Sequence, residues 1–91
     1  MSNLTFLDEK TKLLVWIKGS PANQNGVDVS DRYRFDRFNS LMQFSEYGNR
    51  NSNYGWEIDH IVPISKGGSD NYKNLEPLNW KNNSAKSDKL I

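Results

Sequence analysis

At 91 residues with no cysteine, the chain has room for one domain (1–91) and excludes a disulfide scaffold, a thiolate nucleophile and any thiolate zinc site. Its 12 basic and 11 acidic residues leave a net charge of +1, so nucleic-acid binding has to come from local placement of charge, not a global field. A mean hydropathy of -0.84 describes a polar protein with a small core. No run approaches the ~20 apolar residues of a membrane helix, and Met1–Leu4 lacks the start of a secretory signal, so a cytoplasmic protein is expected.

In chain order, Phe6 and Leu7 precede a continuous apolar run, Leu13–Ile17, that periodicity alone leaves open between helix and strand. Residues 19–26, Gly-Ser-Pro-Ala-Asn-Gln-Asn-Gly, are rich in backbone breakers and predict a loop. Aromatics at 33, 35, 38 and 44 flank an Asn39-Ser40 break, which predicts a two-stranded hairpin with Asn39 at a positive-φ turn position. Glu46 to Tyr54 is polar and turn-rich. The chain has 12 asparagines, many of them in 49–53 and 71–83, which fits a fold with many turns and caps.

The last third is more sharply patterned. Gly55 to Val62 alternates Trp, Ile and His against Glu and Asp until Pro63 stops it, the pattern of a short strand. Residues 64–74 contain Gly67-Gly68 and Asp70-Asn71 and predict a tight loop. Leu75-Glu76-Pro77-Leu78 is a second extended piece, with Pro77 limiting it to edge pairing. A helix then runs through Trp80, Asn83 and Lys86, with Asn79 as its N-cap.

This order of strand, loop, strand and helix gathers chemistry. Asp59 and His60 are adjacent at a strand end, so their side chains point to opposite faces, one free to bind a metal and the other to face a substrate. Asn83 lies about one turn into the helix, where an inward side chain approaches that strand end. Carboxylate and amide oxygens are hard ligands suited to Mg²⁺ or Mn²⁺, with water and phosphate oxygens completing the shell. A neutral imidazole, with a reference pKa of ~6.5, suits a general base acting on water at neutral pH. These are the parts needed to hydrolyse a phosphodiester.

The same residues carry a family resemblance. Tyr54-Gly55-Trp56-Glu57-Ile58-Asp59-His60-Ile61-Val62-Pro63-Ile64-Ser65-Lys66-Gly67-Gly68 is similar to the first half of the HNH endonuclease motif. Asn74-Leu75-Glu76-Pro77-Leu78, followed by Asn82-Asn83-Ser84-Ala85-Lys86, resembles the second half. His60 and Asn74 stand 14 residues apart and Asn74 and Asn83 nine, both within the family's habit. The motif core covers residues 54–88. The resemblance implies a ββα-metal, or His-Me finger, fold holding one divalent cation.

It also implies roles, position by position. His60 would be the general base, Asp59 and Asn83 the metal ligands, and Asn74 a brace that holds His60 in place by ordering the loop between the strands. Lys86 would meet a phosphate as a point charge. Many relatives carry paired CxxC zinc knuckles, but here asparagine stands near those positions, at 79 and 82. Bracing is therefore expected from Trp56, Trp80, Leu75, Leu78 and Ile61, and the oxygen-only shell favours Mg²⁺ or Mn²⁺ over Zn²⁺.

Each residue also has a plainer reading. Trp56 and Trp80 suit a small core better than base stacking, and Gly67-Gly68 suits a turn better than a phosphate cradle. Lys66, Lys73, Lys81 and Lys89 read equally well as solvated surface and as contacts to a nucleic-acid backbone. Arg50, Lys66, Lys81 and Lys86 are the cations assigned to nucleic acid, and the plain alternative for Arg50 is a salt bridge with Glu46 or Glu57. Arg34-Phe35-Asp36 is expected to be structural.

The expected protein is thus a small α+β domain, an N-terminal segment with a hairpin packed on a C-terminal ββα-metal core. The expected activity is metal-dependent hydrolysis of DNA, leaving 5′-phosphate and 3′-hydroxyl ends as the resemblance implies. DNA binding should be mainly to the backbone and weakly sequence-selective. A homodimer is a natural way for so small a protein to cut both strands. The alternatives are a non-catalytic nucleic-acid-binding module and a partner-dependent subunit of a larger assembly, such as phage packaging or defence machinery.

Overall fold

A computed structural model describes residues 9–90, so Phe6 and Leu7 fall outside the described residues. The apolar run resolves as a helix, α1 (Glu9–Trp16), whose buried residues are Val15 and Trp16. Residues 19–26, expected to be a loop, are partly strand. β1 (Ser20–Pro21) leads to β2 (Asn23–Gln24) and β3 (Val27–Asp28), which pair antiparallel. Between β2 and β3 lie Asn25 and Gly26, with φ of 54° and 83°, the two-residue connection that Asn-Gly favours in a hairpin. The breakers are the turn of that hairpin, and its strands are too short and exposed for alternation to reveal them.

The second hairpin follows the expectation. β4 (Tyr33–Phe35) pairs antiparallel with β5 (Leu41–Gln43), and β1 adds to the outer edge of β4. Asn39 has φ of 66° in the connection. Asp36 orders that turn, its Oδ1 accepting from the Phe38 and Ser40 amides at 3.0 and 2.9 Å. Its Oδ2 reaches the far end of the chain, accepting from the Asn79 amide at 3.0 Å and from Asn82 Nδ2 at 2.8 Å. Arg34 bonds the backbone carbonyls of Ser30, Ile17 and Gly19. The structural role expected for this segment is therefore observed.

The C-terminal part is the expected ββα unit. β6 (Trp56–His60) pairs antiparallel with β7 (Leu75–Asn79), with Asp59 opposite Glu76 and His60 opposite Leu75. α2 (Trp80–Lys86) follows directly, and Asn79 caps it by accepting from the Lys81 amide. The Asn79 amide nitrogen donates to the carbonyls of Leu41 and Asn53, so the cap also fixes the helix start against the rest of the fold. The fold class is α+β.

A core of Val15, Trp16, Met42, Trp56, Ile58 and Leu75 fills the space between α1, β5 and one face of the β6–β7 ribbon. The rings of Trp16 and Trp56 lie 5.0 Å apart and Phe44 meets Trp16 edge-on at 5.3 Å, favourable aromatic geometries. Trp56, Leu75 and Leu78 are buried as expected, but Ile61 is 40% exposed. It follows the last residue of β6 and turns outward, while Trp80 is only half-buried. Trp16 and Met42, from the N-terminal half, do the bracing that the ribbon cannot provide alone. Among the described residues no helix is long and apolar enough to cross a membrane.

Candidate active site at the end of β6

Alternation along β6 sorts its side chains between two faces. Trp56 and Ile58 enter the core, whereas Glu57 and Asp59 face α2, where their partners are Asn83 and Lys86. Residues two apart on one strand face thus meet residues three apart on one helix face. His60, on the face opposite Asp59, is 8% exposed, and its Nε2 lies 2.7 Å from Asp70 Oδ1. A carboxylate only accepts, so Nε2 donates to it, and in the neutral ring Nδ1 is the nitrogen that can accept.

Asp59 and His60 line one groove of about 390 Å³, together with Pro63, Ile64, Ser65, Ser87 and Asp88. Asn83 does not line it. No hydrogen bond or ion pair joins Asp59 to Asn83, because each is engaged by another residue. Lys86 Nζ lies 2.8 Å from Asp59 Oδ2 and donates to the His60 carbonyl at 3.0 Å. The contact with Asp59 is an ion pair without hydrogen-bond alignment, so Oδ2 is buried and accepts no hydrogen bond.

Asn83 Nδ2 donates to Glu57 Oε1 at 2.7 Å, and Arg50 grips both oxygens of Glu57 at 2.7 Å. The Arg50 hydrogen bonds hold the Glu57 carboxyl below its ordinary pKa, against partial burial, and the Asn83 bond acts in the same direction. The guanidinium is correspondingly raised.

Asn74 orders the loop between the strands. Its Oδ1 accepts from the Val62 amide at 2.9 Å, and its Nδ2 donates to the carbonyls of Val62 and Ser69 at 3.0 and 2.8 Å. Those bonds span the base of the loop, beside the carbonyl of Asn74 itself, which accepts from the Ile61 amide at 2.8 Å. Gly67 adopts φ of 89°, and a Cβ on Gly68 would stand 1.7 Å from the Val62 oxygen. Both glycines therefore serve the turn. Lys18 fastens the far side of the loop, donating to the carbonyls of Tyr72 and Leu75.

The cations divide. Lys86 is fully buried, so the expected contact with a phosphate is corrected: its ammonium is enclosed against Asp59 and His60. Arg50 takes the salt bridge with Glu57 that was its plain alternative, yet its guanidinium also lies 5.8 Å from the Trp80 ring. Lys81 flanks the same ring at 5.8 Å and donates to Asn53 Oδ1 at 3.0 Å. Lys66 is exposed at the end of the short helical turn Ile64–Lys66, beside the groove.

Three acidic residues stand at the site without having been assigned to it from the sequence, Glu57 having been named only as a salt-bridge partner for Arg50. Glu57 stands two positions before Asp59, a spacing that already puts both on one strand face. Asp70 was legible only as part of a turn, since nothing local announces a partnership ten residues away. Glu76, opposite Asp59, is 7% exposed; Arg37 Nε lies 2.7 Å from its Oε1, while its Oε2 accepts no hydrogen bond. Burial raises its carboxyl pKa, and the Arg37 bond and charge oppose that rise.

The donor chemistry fits a hard divalent cation. With Asp59 Oδ2 held by Lys86, its other oxygen remains for a ligand, as does the carbonyl end of Asn83, whose amide nitrogen is committed to Glu57. Among the described residues no cluster of three His, Cys, Asp or Glu side chains suits a metal. A cation here would draw on few protein donors and complete its shell from water and phosphate.

Residues 46–89 match the family model described as HNH endonuclease. No curated protein and no solved structure matches the chain. HNH proteins are generally endonucleases that bind DNA and typically use a divalent metal. The strand-loop-strand-helix order, the groove at the end of β6 and the matched segment coincide, so residues 46–89 carry the likeness to the HNH endonuclease family.

Proposed function

We propose that the chain is a metal-dependent endonuclease that hydrolyses DNA phosphodiester bonds, with His60 as general base. The observation that carries this reading is the groove that Asp59 and His60 share, inside the segment matching the HNH family. Asp59 and Asn83 would hold one cation, Mg²⁺ or Mn²⁺ by the hardness of their oxygens, which supplies Lewis acidity at the scissile phosphate when bound. His60 receives the proton of the attacking water at Nδ1, while Asp70 holds Nε2–H.

Asn74 maintains the loop that fixes the ring, and Lys86 anchors the Asp59 carboxylate and the His60 carbonyl. Arg50, Lys81 and Lys66 present positive charge to the DNA backbone, so binding should weaken with salt and depend little on sequence. A homodimer, or a place in a larger assembly, would bring a second site to the opposite strand.

A supercoiled-plasmid nicking assay on the isolated chain tests this, with Mg²⁺, Mn²⁺ or EDTA and with His60→Ala. Nicking that requires metal and His60 is the expected result. An intact plasmid in both metals would overturn the autonomous enzyme.

One observation favours a second reading, in which cutting awaits a partner. Asp59 is paired with Lys86, His60 with Asp70 and Asn83 with Glu57. Of these, the Lys86 contact occupies the carboxylate that would hold the cation, and a partner that drew Lys86 away would free it. Nicking that appears only on adding a partner protein would select this reading.

A further inference from the structure

We propose that Glu57, held by Arg50, is a positioning residue that dictates which end of the Asn83 side chain faces the cation. The inference rests on the reading of Asn83 as a metal ligand and extends it to how an asparagine is made fit for that task. A carboxamide is ambiguous: its oxygen accepts and binds cations, its nitrogen donates and repels them, and the two ends have nearly the same shape. An aspartate in that position has no wrong end. An asparagine does, and an unconstrained one spends part of its time presenting the nitrogen.

Glu57 removes the ambiguity. Its Oε1 accepts from Asn83 Nδ2 at 2.7 Å and from Arg50 Nη2 at 2.7 Å, while its Oε2 accepts from Arg50 Nε at 2.7 Å. A carboxylate gripped by a guanidinium fork is acceptor-only, so only the nitrogen end of Asn83 is stable against it. Asn83 Oδ1 accepts no hydrogen bond from any described residue and is the end left for a ligand. The same fork ties down the Glu57 charge, which makes Glu57 itself a poor competitor for the cation. Arg50 thus acts on the site through two side chains in series, from a turn 33 residues upstream of Asn83.

The test is a titration of Mn²⁺ against the intact chain, followed by the electron-spin-resonance signal of the free ion. It uses E57Q, N83A and the double variant, with melting temperatures in EDTA recorded alongside. A glutamine at 57 keeps the shape but accepts and donates, so it tolerates either end of Asn83. E57Q is expected to weaken Mn²⁺ binding about tenfold, the usual cost of losing a group that orients a ligand. N83A is expected to weaken it at least as much, and the double variant no further than N83A alone.

The side-chain NH₂ resonances of Asn83 should also move in E57Q, a change that general loosening of the fold would not confine to one residue. Wild-type affinity in E57Q alongside a loss in N83A overturns the positioning role and spares the ligand assignment. Additional loss in the double variant overturns it too, because Glu57 would then bind metal directly. Wild-type affinity in N83A overturns both readings. If E57Q does not fold, R50M serves in its place, since Arg50 is exposed. A smaller loss of Mn²⁺ affinity is expected there, and none at all overturns the proposal.

Discussion

Lys86 and Asp59 form an ion pair at 2.8 Å in which the lysine is wholly enclosed and the carboxylate 14% exposed. Removing one partner of a buried pair leaves an uncompensated charge, which costs about 3 kcal/mol. Lys86→Met is therefore expected to lower the melting temperature sharply in EDTA. If Asp59 binds the cation, Mg²⁺ or Mn²⁺ should restore more stability to the variant than it adds to the wild type, because it supplies the missing positive charge. Calorimetry with and without metal reads both effects.

The contact of His60 Nε2 with Asp70, at 2.7 Å, concerns rate rather than stability, since Asp70 is 62% exposed. In Asp70→Asn the amide can donate as well as accept, so it no longer fixes which ring nitrogen is left to accept a proton. The turnover number of cleavage is expected to fall about tenfold while DNA affinity stays near wild type. His60→Ala, which deletes the base outright, should cost 10²- to 10⁴-fold, the usual range for general-base catalysis.

Asn74 accepts one backbone hydrogen bond and donates two, a combination that aspartate cannot reproduce. Asn74→Asp would set a carboxylate oxygen against the carbonyls of Val62 and Ser69. We expect it to destabilise at least as much as Asn74→Ala, by about 1 kcal/mol for the lost hydrogen bonds, whose carbonyls water can reach. Both variants should lose cleavage through displacement of the loop, measurable as faster hydrogen exchange at the Ile61 and Val62 amides.

Glu76 gives the fold a pH dependence. Burial raises its carboxyl pKa despite Arg37, so the native state holds the Glu76 proton more firmly than the unfolded chain does. The stability this group contributes is complete below the unfolded value of about 4.3 and is lost as pH rises through the higher folded value. Glu76→Gln, which cannot ionise, should melt above wild type at pH 7, and the gap should close as pH falls toward 4. Thermal melts across that range check the sign.

The ββα order was legible because each element carries its own local signal. β6 alternates, Pro77 restricts β7 to an edge, and Asn79 caps α2. The spacing of Asp59, His60, Asn74 and Asn83 was legible for the same reason. What those side chains touch was not. Lys86 reads as a surface cation until α2 is laid on the Asp59 face of β6, and only that packing encloses it. The Asn25-Gly26 hairpin was hidden by its brevity, since strands of two exposed residues leave no alternation to find.

Asp36 binds the Asn79 amide and the Asn82 side chain, while Trp16 and Met42 complete the core around Trp56. The stretch that the family shares, residues 46–89, therefore does not contain its own scaffold. Transplanted into another host protein, it would arrive without the carboxylate that seats its helix or the indole that fills its interior. The upstream hairpin and helix are thus obligatory companions of the matched segment, and any hybrid protein built from it must carry both.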